Sequence, residues 1–212
     1  MHRSFVLVWL VAASLVSLQT GARAQFTPIA QPDAAYLAAT TKLPTPLSFP
    51  ASVLTDGAFS VTLSAPADTY RQAPGGGWAT WASPPWVEPT PTDVFYSGVT
   101  SLTLSFSQQV GIFGFEAEPD PYGQYLMTAR FYNGASLVGS ISQYVEGNAG
   151  ARLFAAQGDL FDRVVFESDV DFAIGNLRYG NGPDVVPEAG TLAGFGSMAG
   201  FGLLWLRRRF LT

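Results

Sequence analysis

The feature that most limits what this chain can fold into is a run of short alternating segments between Ser101 and Tyr179. Residues two apart on a strand share a face, so apolar–polar alternation selects a half-buried strand over a helix. Ser101 to Phe106 places Leu102, Leu104 and Phe106 together. Leu126 to Tyr132 sets Met127, Ala129 and Phe131 on one side and Thr128, Arg130 and Tyr132 on the other. Asn133-Gly134 follows at once, a strong hairpin signal because both positions tolerate positive φ, and Leu137 to Val145 returns. Leu153 to Ala156 is short, Arg163 to Ser168 pairs Val164 with Phe166, and Phe172 to Tyr179 closes the series. Val110 to Glu116 differs: Ile112 stands opposite Phe113 and Phe115, which predicts cover on both faces.

Upstream, Gln25 to Pro50 carries five prolines and reads as an extended lead-in with one edge strand. Ala58 to Leu63 alternates again, with Phe59, Val61 and Leu63 on one face. Ala65 to Thr92 breaks the rhythm with Gly75-Gly76-Gly77, three tryptophans and Pro84, Pro85, Pro89 and Pro91, which predicts a long irregular loop. About eight short strands with turn signals between them predict an all-β fold, an antiparallel β-sandwich. A jelly roll is the preferred topology and a closed barrel the alternative.

The ends have a different composition. Met1-His2-Arg3 is basic, Phe5 to Leu18 is mostly apolar, and Ala22-Arg23-Ala24 is a small-x-small site. Residues 1–24 therefore read as a secretory signal peptide, cut before Gln25, leaving one domain over 25–185. The last 27 residues, 186–212, open with Val186-Pro187-Glu188-Ala189-Gly190-Thr191. Leu192 to Leu206 is an uninterrupted run of 15 apolar, Gly and Ser residues, and Arg207-Arg208-Arg209 follows. As a helix the run would span roughly 22 Å, short of the ~30 Å hydrocarbon core, and the arginines favour the cytoplasmic side. On these features alone an ordinary C-terminal membrane anchor is an open alternative.

Motif, short apolar helix and arginine cluster together resemble the PEP-CTERM sorting signal of Gram-negative bacteria. The family pattern is Val-Pro-Glu-Pro-(small)-Thr; Val186, Pro187, Glu188 and Thr191 match, and Ala189 stands at the second proline. The resemblance implies that an exosortase, a membrane-embedded protease, reads Pro187 and Glu188 and removes the tail. The helix would hold the precursor in the membrane, Arg207, Arg208 and Arg209 would set its orientation, and the body would reach the cell surface or extracellular polymer. Val110-Gly-Ile-Phe-Gly-Phe115, Arg130-Phe-Tyr-Asn-Gly134 and Phe172-Ala-Ile-Gly-Asn-Leu177 also resemble the jelly-roll bodies of such proteins, with Gly175 where related domains carry Asp.

The residues between the two ends exclude several chemistries. They contain no cysteine, and the chain's one histidine is His2. Ser-His-Asp and Cys-His catalysis and His- or Cys-ligated zinc are thus outside their reach. Six basic residues face fifteen acidic ones between Gln25 and Val185, a net charge of −9. So acidic a body repels nucleic acid.

Three clusters are candidate sites. Trp78, Trp81 and Trp86 on the loop could stack on sugar C–H faces as a carbohydrate platform, or fold back to cap the sandwich. Glu116, Glu118 and Asp120, alternating before Gly123, offer hard oxygens to calcium or an acid–base pair to a glycosidase; a solvated hairpin end is the plain reading. Glu167, Asp169 and Asp171 read first as a turn and second as a calcium site. The expected protein has no catalytic residues and no obligatory cofactor. It is an exported, non-enzymatic surface or matrix module that partners an exosortase, the membrane and extracellular polysaccharide. A secreted carboxylate-dependent glycoside hydrolase is the alternative.

Overall fold

The computed structural model describes residues 25–71, 78–89 and 93–182; the expected signal peptide (1–24) and sorting tail (186–212) lie outside them. The fold is all-β. In chain order the elements are β1 (Thr27–Ile29), α1 (Ala34–Ala39), β2 (Thr41–Lys42), β3 (Ala51–Asp56), β4 (Phe59–Arg71), β5 (Asp93–Tyr96), β6 (Ser101–Pro119), β7 (Gln124–Asn133), β8 (Ser136–Glu146), β9 (Arg152–Ser168) and β10 (Phe172–Gly180). Among the described residues no helix is long and apolar enough to cross a membrane.

Three strands, β4, β6 and β9, are longer than their sequence signals, and β4 runs on past Leu63 to Arg71. Ser107 to Gln109 and Gly158 to Leu160 interrupt the apolar pattern, yet β6 and β9 run through them, with register shifts between Ser105 and Ile112. Each strand thereby contributes two halves to two stretches of sheet. The first stretch runs β3–β4–β6–β9–β7–β8, using Val61–Leu63 of β4, Ser101–Ser105 of β6 and Arg163–Glu167 of β9. The second runs β4–β5–β10–β6–β9–β1, using Asp68–Arg71 of β4, Ile112–Pro119 of β6 and Arg152–Gln157 of β9. β2 pairs with the far end of β10. All these pairings are antiparallel.

The inward faces of the two stretches meet in one apolar cluster. Phe166 of the first stretch lies 4.9, 4.8 and 4.7 Å, centroid to centroid, from Phe115, Phe154 and Phe172 of the second. Phe59 stacks on Tyr179 at 3.8 Å. Each such ring, fully buried, stabilises the fold by ~1.5–3 kcal/mol. The alternation in Leu126 to Tyr132 is realised: Met127, Ala129 and Phe131 are all completely buried. The Asn133-Gly134 hairpin forms, with Gly134 at φ 56°.

The lead-in contains a helix that the proline count conceals. Asp33 caps α1, its carboxylate accepting from the Tyr36 amide at 2.8 Å, and alanines fill the single turn and a half. Six residues are too few to show a helical period. Tyr36 faces the outer side of the second stretch, against Ile112, Leu153 and Ala155. A Cβ on Gly114 would come within 2.5 Å of its hydroxyl and 2.3 Å of Ala155 Cβ, so only glycine lets the helix sit this close.

Candidate functional site

Among the described residues the buried acids cluster on that same outer side. The sequence places Glu116 and Glu118 after a strand; the structure places them within it, because β6 continues to Pro119. Phe113, Phe115 and Ala117 turn to the core, so Ile112, Gly114, Glu116 and Glu118 turn the other way. Both glutamates are nonetheless completely buried, because the tryptophan loop, residues 78–89, lies over them.

The loop is held down from its own backbone and side chains. The Ala151 amide donates to the Trp81 carbonyl at 3.0 Å, and the Ser83 hydroxyl donates to the Ala151 carbonyl. Trp78 and Trp81 meet edge to face at 6.4 Å and point inward, 8 % and 1 % exposed. Trp81 Nε1–H donates to Glu116 Oε2 at 2.9 Å, and Trp78 Nε1–H donates to Glu118 Oε2 at 2.8 Å. Indole burial supplies apolar area, and each N–H takes the polar partner it needs. This corrects the tryptophan platform: Trp78 and Trp81 cap the sheet and offer no open ring face. Trp86 is 38 % exposed, with the Arg152 guanidinium 5.3 Å from its ring centroid.

Glu116 is held by three donors. Besides Trp81 they are Asn176 Nδ2, at 2.8 Å from Oε2, and the Glu88 amide, at 2.6 Å from Oε1. Glu118 has a poorer set. Thr80, Trp78 and the Gly150 amide favour its charged form, but Oε1 meets no hydrogen-bond partner. Burial pushes both carboxyls up to about 7, against those donors. The charges nearby differ: Glu88 raises the Glu116 pKa further, whereas Arg152 favours the Glu118 anion.

Around this pair stands a second layer that alternation does not disclose. Glu88 is 8 % exposed and forms a two-point ion pair with Arg178, Nε to Oε1 at 2.6 Å and Nη2 to Oε2 at 3.1 Å. Arg178 Nη1 also donates to the Thr40 carbonyl at 3.2 Å. Burial pulls the Arg178 pKa down, but Glu88, with Tyr36 and Glu116 behind it, raises it, and the net shift is upward. Lys42 Nζ donates to Asn176 Oδ1. Asn176 sits at φ 47°, where the β10–β6 register shifts. Asn is among the few non-glycine residues that tolerate this region. The usable signal was scarcity: with only six basic residues in the body, each was a candidate partner for a buried acid.

The remaining sequence candidates do not assemble. Asp120 lies past the end of β6, exposed, with its amide on the Asp171 carbonyl. Burial first and Asp171 second raise its pKa. Glu167 pairs with Arg130, the Tyr96 hydroxyl donates to Asp171, and Asp169 is exposed. The carboxylates proposed for calcium thus face different ways: Glu116 and Glu118 are turned under the loop and Asp120 is outside it. Among the described residues no three acidic side chains are placed to hold a metal ion.

No protein-family model and no curated protein matches the chain. Among solved structures, 58 % of the chain aligns with 19 % of the enzymatically active domain of tailspike protein 4 from bacteriophage CBA120, at 14 % identity and a TM-score of 0.29. The chain therefore spans about a fifth of that domain, and a likeness at this score carries no argument.

Proposed function

We propose that this chain is the precursor of an exported, non-enzymatic surface or extracellular-matrix module, sorted through its C-terminal signal. The burial of Glu116 and Glu118 carries the non-enzymatic part of this reading. A glycosidase needs two carboxylates flanking a cleft that admits substrate and water. Here both carboxylates are completely buried and bonded to indoles. The hydrolase alternative draws on their raised pKa values, which suit a general acid, but it requires the whole tryptophan loop to lift.

The export part rests on the ends of the sequence: the small-x-small site before Gln25, and Pro187, Glu188 and Thr191 ahead of the apolar run and three arginines. For the body we read a β-sandwich of jelly-roll type. Its support is the strand order: β6–β9–β7–β8 in one stretch faces β5–β10–β6–β9 in the other, the two linked by the long bent strands.

The test is expression of the full chain in a Gram-negative host with and without an exosortase, followed by intact mass and fractionation. Loss of about the last 27 residues only with the enzyme present is the expected result. An uncut product in the inner membrane of both hosts would overturn it, and Ala189→Pro would then show whether the motif departure is responsible.

A further inference from the structure

The outer side of the first stretch is as open as that of the second is covered. Directly opposed residues of antiparallel neighbours share a face, so the registers define rows across it. One row is Ser142, Thr128, Glu167 and Ser101; the next is Ser140, Arg130, Val165 and Thr103; a third is Tyr132, Arg163, Ser105 and Thr62. Leu126 stands opposite Tyr144 at one end, 42 % and 63 % exposed. Four neighbouring strands make the face roughly 14 Å wide. A depression of about 380 Å³ lies in it, lined by Leu126, Thr128, Arg130, Glu167, Ser168 and Asp169 among others, within the size range of ligand pockets.

We infer that this face binds a neutral polysaccharide, with the Tyr144–Leu126 patch taking the apolar side of a sugar ring and the Arg130–Glu167 pair its hydroxyls. The inference rests on the surface-module reading above and names its ligand class. A sugar hydroxyl both donates and accepts. Arg130 beside Glu167 presents donors and an acceptor side by side, half-exposed at 39 % and 42 %. The Thr128 and Ser142 hydroxyls, 2.9 Å apart, extend the same mixed character. Tyr144 supplies an amphipathic ring at small entropic cost.

Charge decides between polymers. The rows hold Arg130 and Arg163 against Glu167, on a body of net −9. Arg130 is engaged by Glu167; Arg163 lies over Tyr132 at 4.6 Å and donates to the Gly134 carbonyl. A polyanion would find neither arginine unengaged. A protein partner would want an apolar centre, and this face has hydroxyls there.

Affinity electrophoresis of the full-chain product in native gels containing dextran, hydroxyethylcellulose or laminarin tests the inference, with alginate as the anionic comparison. At least one neutral polymer should retard the protein and alginate should not. Arg130→Ala and Tyr144→Ser should each weaken that retardation tenfold or more. Tyr144→Phe, which keeps the ring, and Trp86→Ala, on the opposite side, should bind as the parent does. Retardation by none of the three neutral polymers, by alginate alone, or equally in parent, Arg130→Ala and Tyr144→Ser would each overturn it. Circular dichroism of each variant guards against misfolding; Tyr144 is exposed, so its replacement leaves the core intact. Tail cleavage is read separately by mass, so binding can fail while sorting holds, and the reverse.

Discussion

The two outer sides of this molecule obey the same alternation and end differently. Beyond the first stretch, the outward positions of β6, β7 and β9 are mostly Ser, Thr and a half-exposed ion pair. Beyond the second, the outward positions of β6 are Ile112, Gly114, Glu116 and Glu118, and a loop and a helix cover them. Hydroxyls need no cover, because water satisfies them. Two carboxylates under a lid do need partners, and the lid brings them as indole N–H groups and a backbone amide. A polar residue on the outer face of a sheet therefore says little until it is known what lies above it.

The sharpest way to break the contrast is to remove the lid's anchor. Trp81→Ala deletes a ring that is 1 % exposed and takes one of three donors from Glu116. It should cost about 4 kcal/mol or more in denaturant titration. The corresponding change on the open side, Tyr132→Ala, should cost clearly less. Equal losses would mean that the loop is not a structural cap.

Arg178→Ala comes next. It leaves Glu88 buried without its cation, so a loss of about 3 kcal/mol is expected, most of it the penalty of the stranded charge. The double change Arg178→Met with Glu88→Leu should recover much of that loss. If the single and double variants are equally unstable, the pair contributes attraction of its own rather than mutual neutralisation.

How much of this was legible in the sequence follows from the same contrast. Strand existence and facing are local properties, and Met127, Ala129, Phe131, Val164 and Phe166 all point where alternation sends them. The continuous strands β6 and β9 were not legible, since polar residues at 107–109 and a glycine at 158 resemble turns and become bends. The buried acids were visible as residues but not as a site. Glu116 and Glu118 meet Trp81 and Trp78 across separations of 35 and 40 residues, which no periodicity encodes. The Pro-Pro-Trp run allowed both a cap and a platform, and only the neighbouring carboxylates decide between them.

The two glutamates offer a finer test. Glu116→Gln places an amide N–H where three donors already point, so a loss of about 1–3 kcal/mol is expected above about pH 7, where the parent carboxyl is ionised. Glu118→Gln mimics the protonated acid, keeps an oxygen for Trp78 and should be nearly neutral at acidic pH. The pH profile tests both. Both folded pKa values lie above the ordinary 4.5, at about 7. The folded state therefore holds protons that the unfolded chain releases, and this stabilisation is complete below about 4.5 and lost as pH rises through about 7. The thermal midpoint should fall across that window in the parent and fall less in Glu118→Gln. A parent midpoint that is flat or rising there would show that other carboxylates dominate the linkage.

The smallest expected effects belong to the open side, and they matter because binding is tested there. Thr62, Ser105 and Ser142 are exposed hydroxyls. Replacing any one with alanine removes only a group that water already satisfies, so stability should change by no more than ~0.5 kcal/mol. Thr128→Ala breaks its 2.9 Å contact with Ser142 and belongs at the upper end of that range. A face that tolerates these changes is free of structural duty, and any loss of polymer retardation there belongs to the ligand. If instead Ser105→Ala or Thr62→Ala destabilises by more than 1 kcal/mol, this side is also a covered surface in solution. The contrast between the two sides would then disappear.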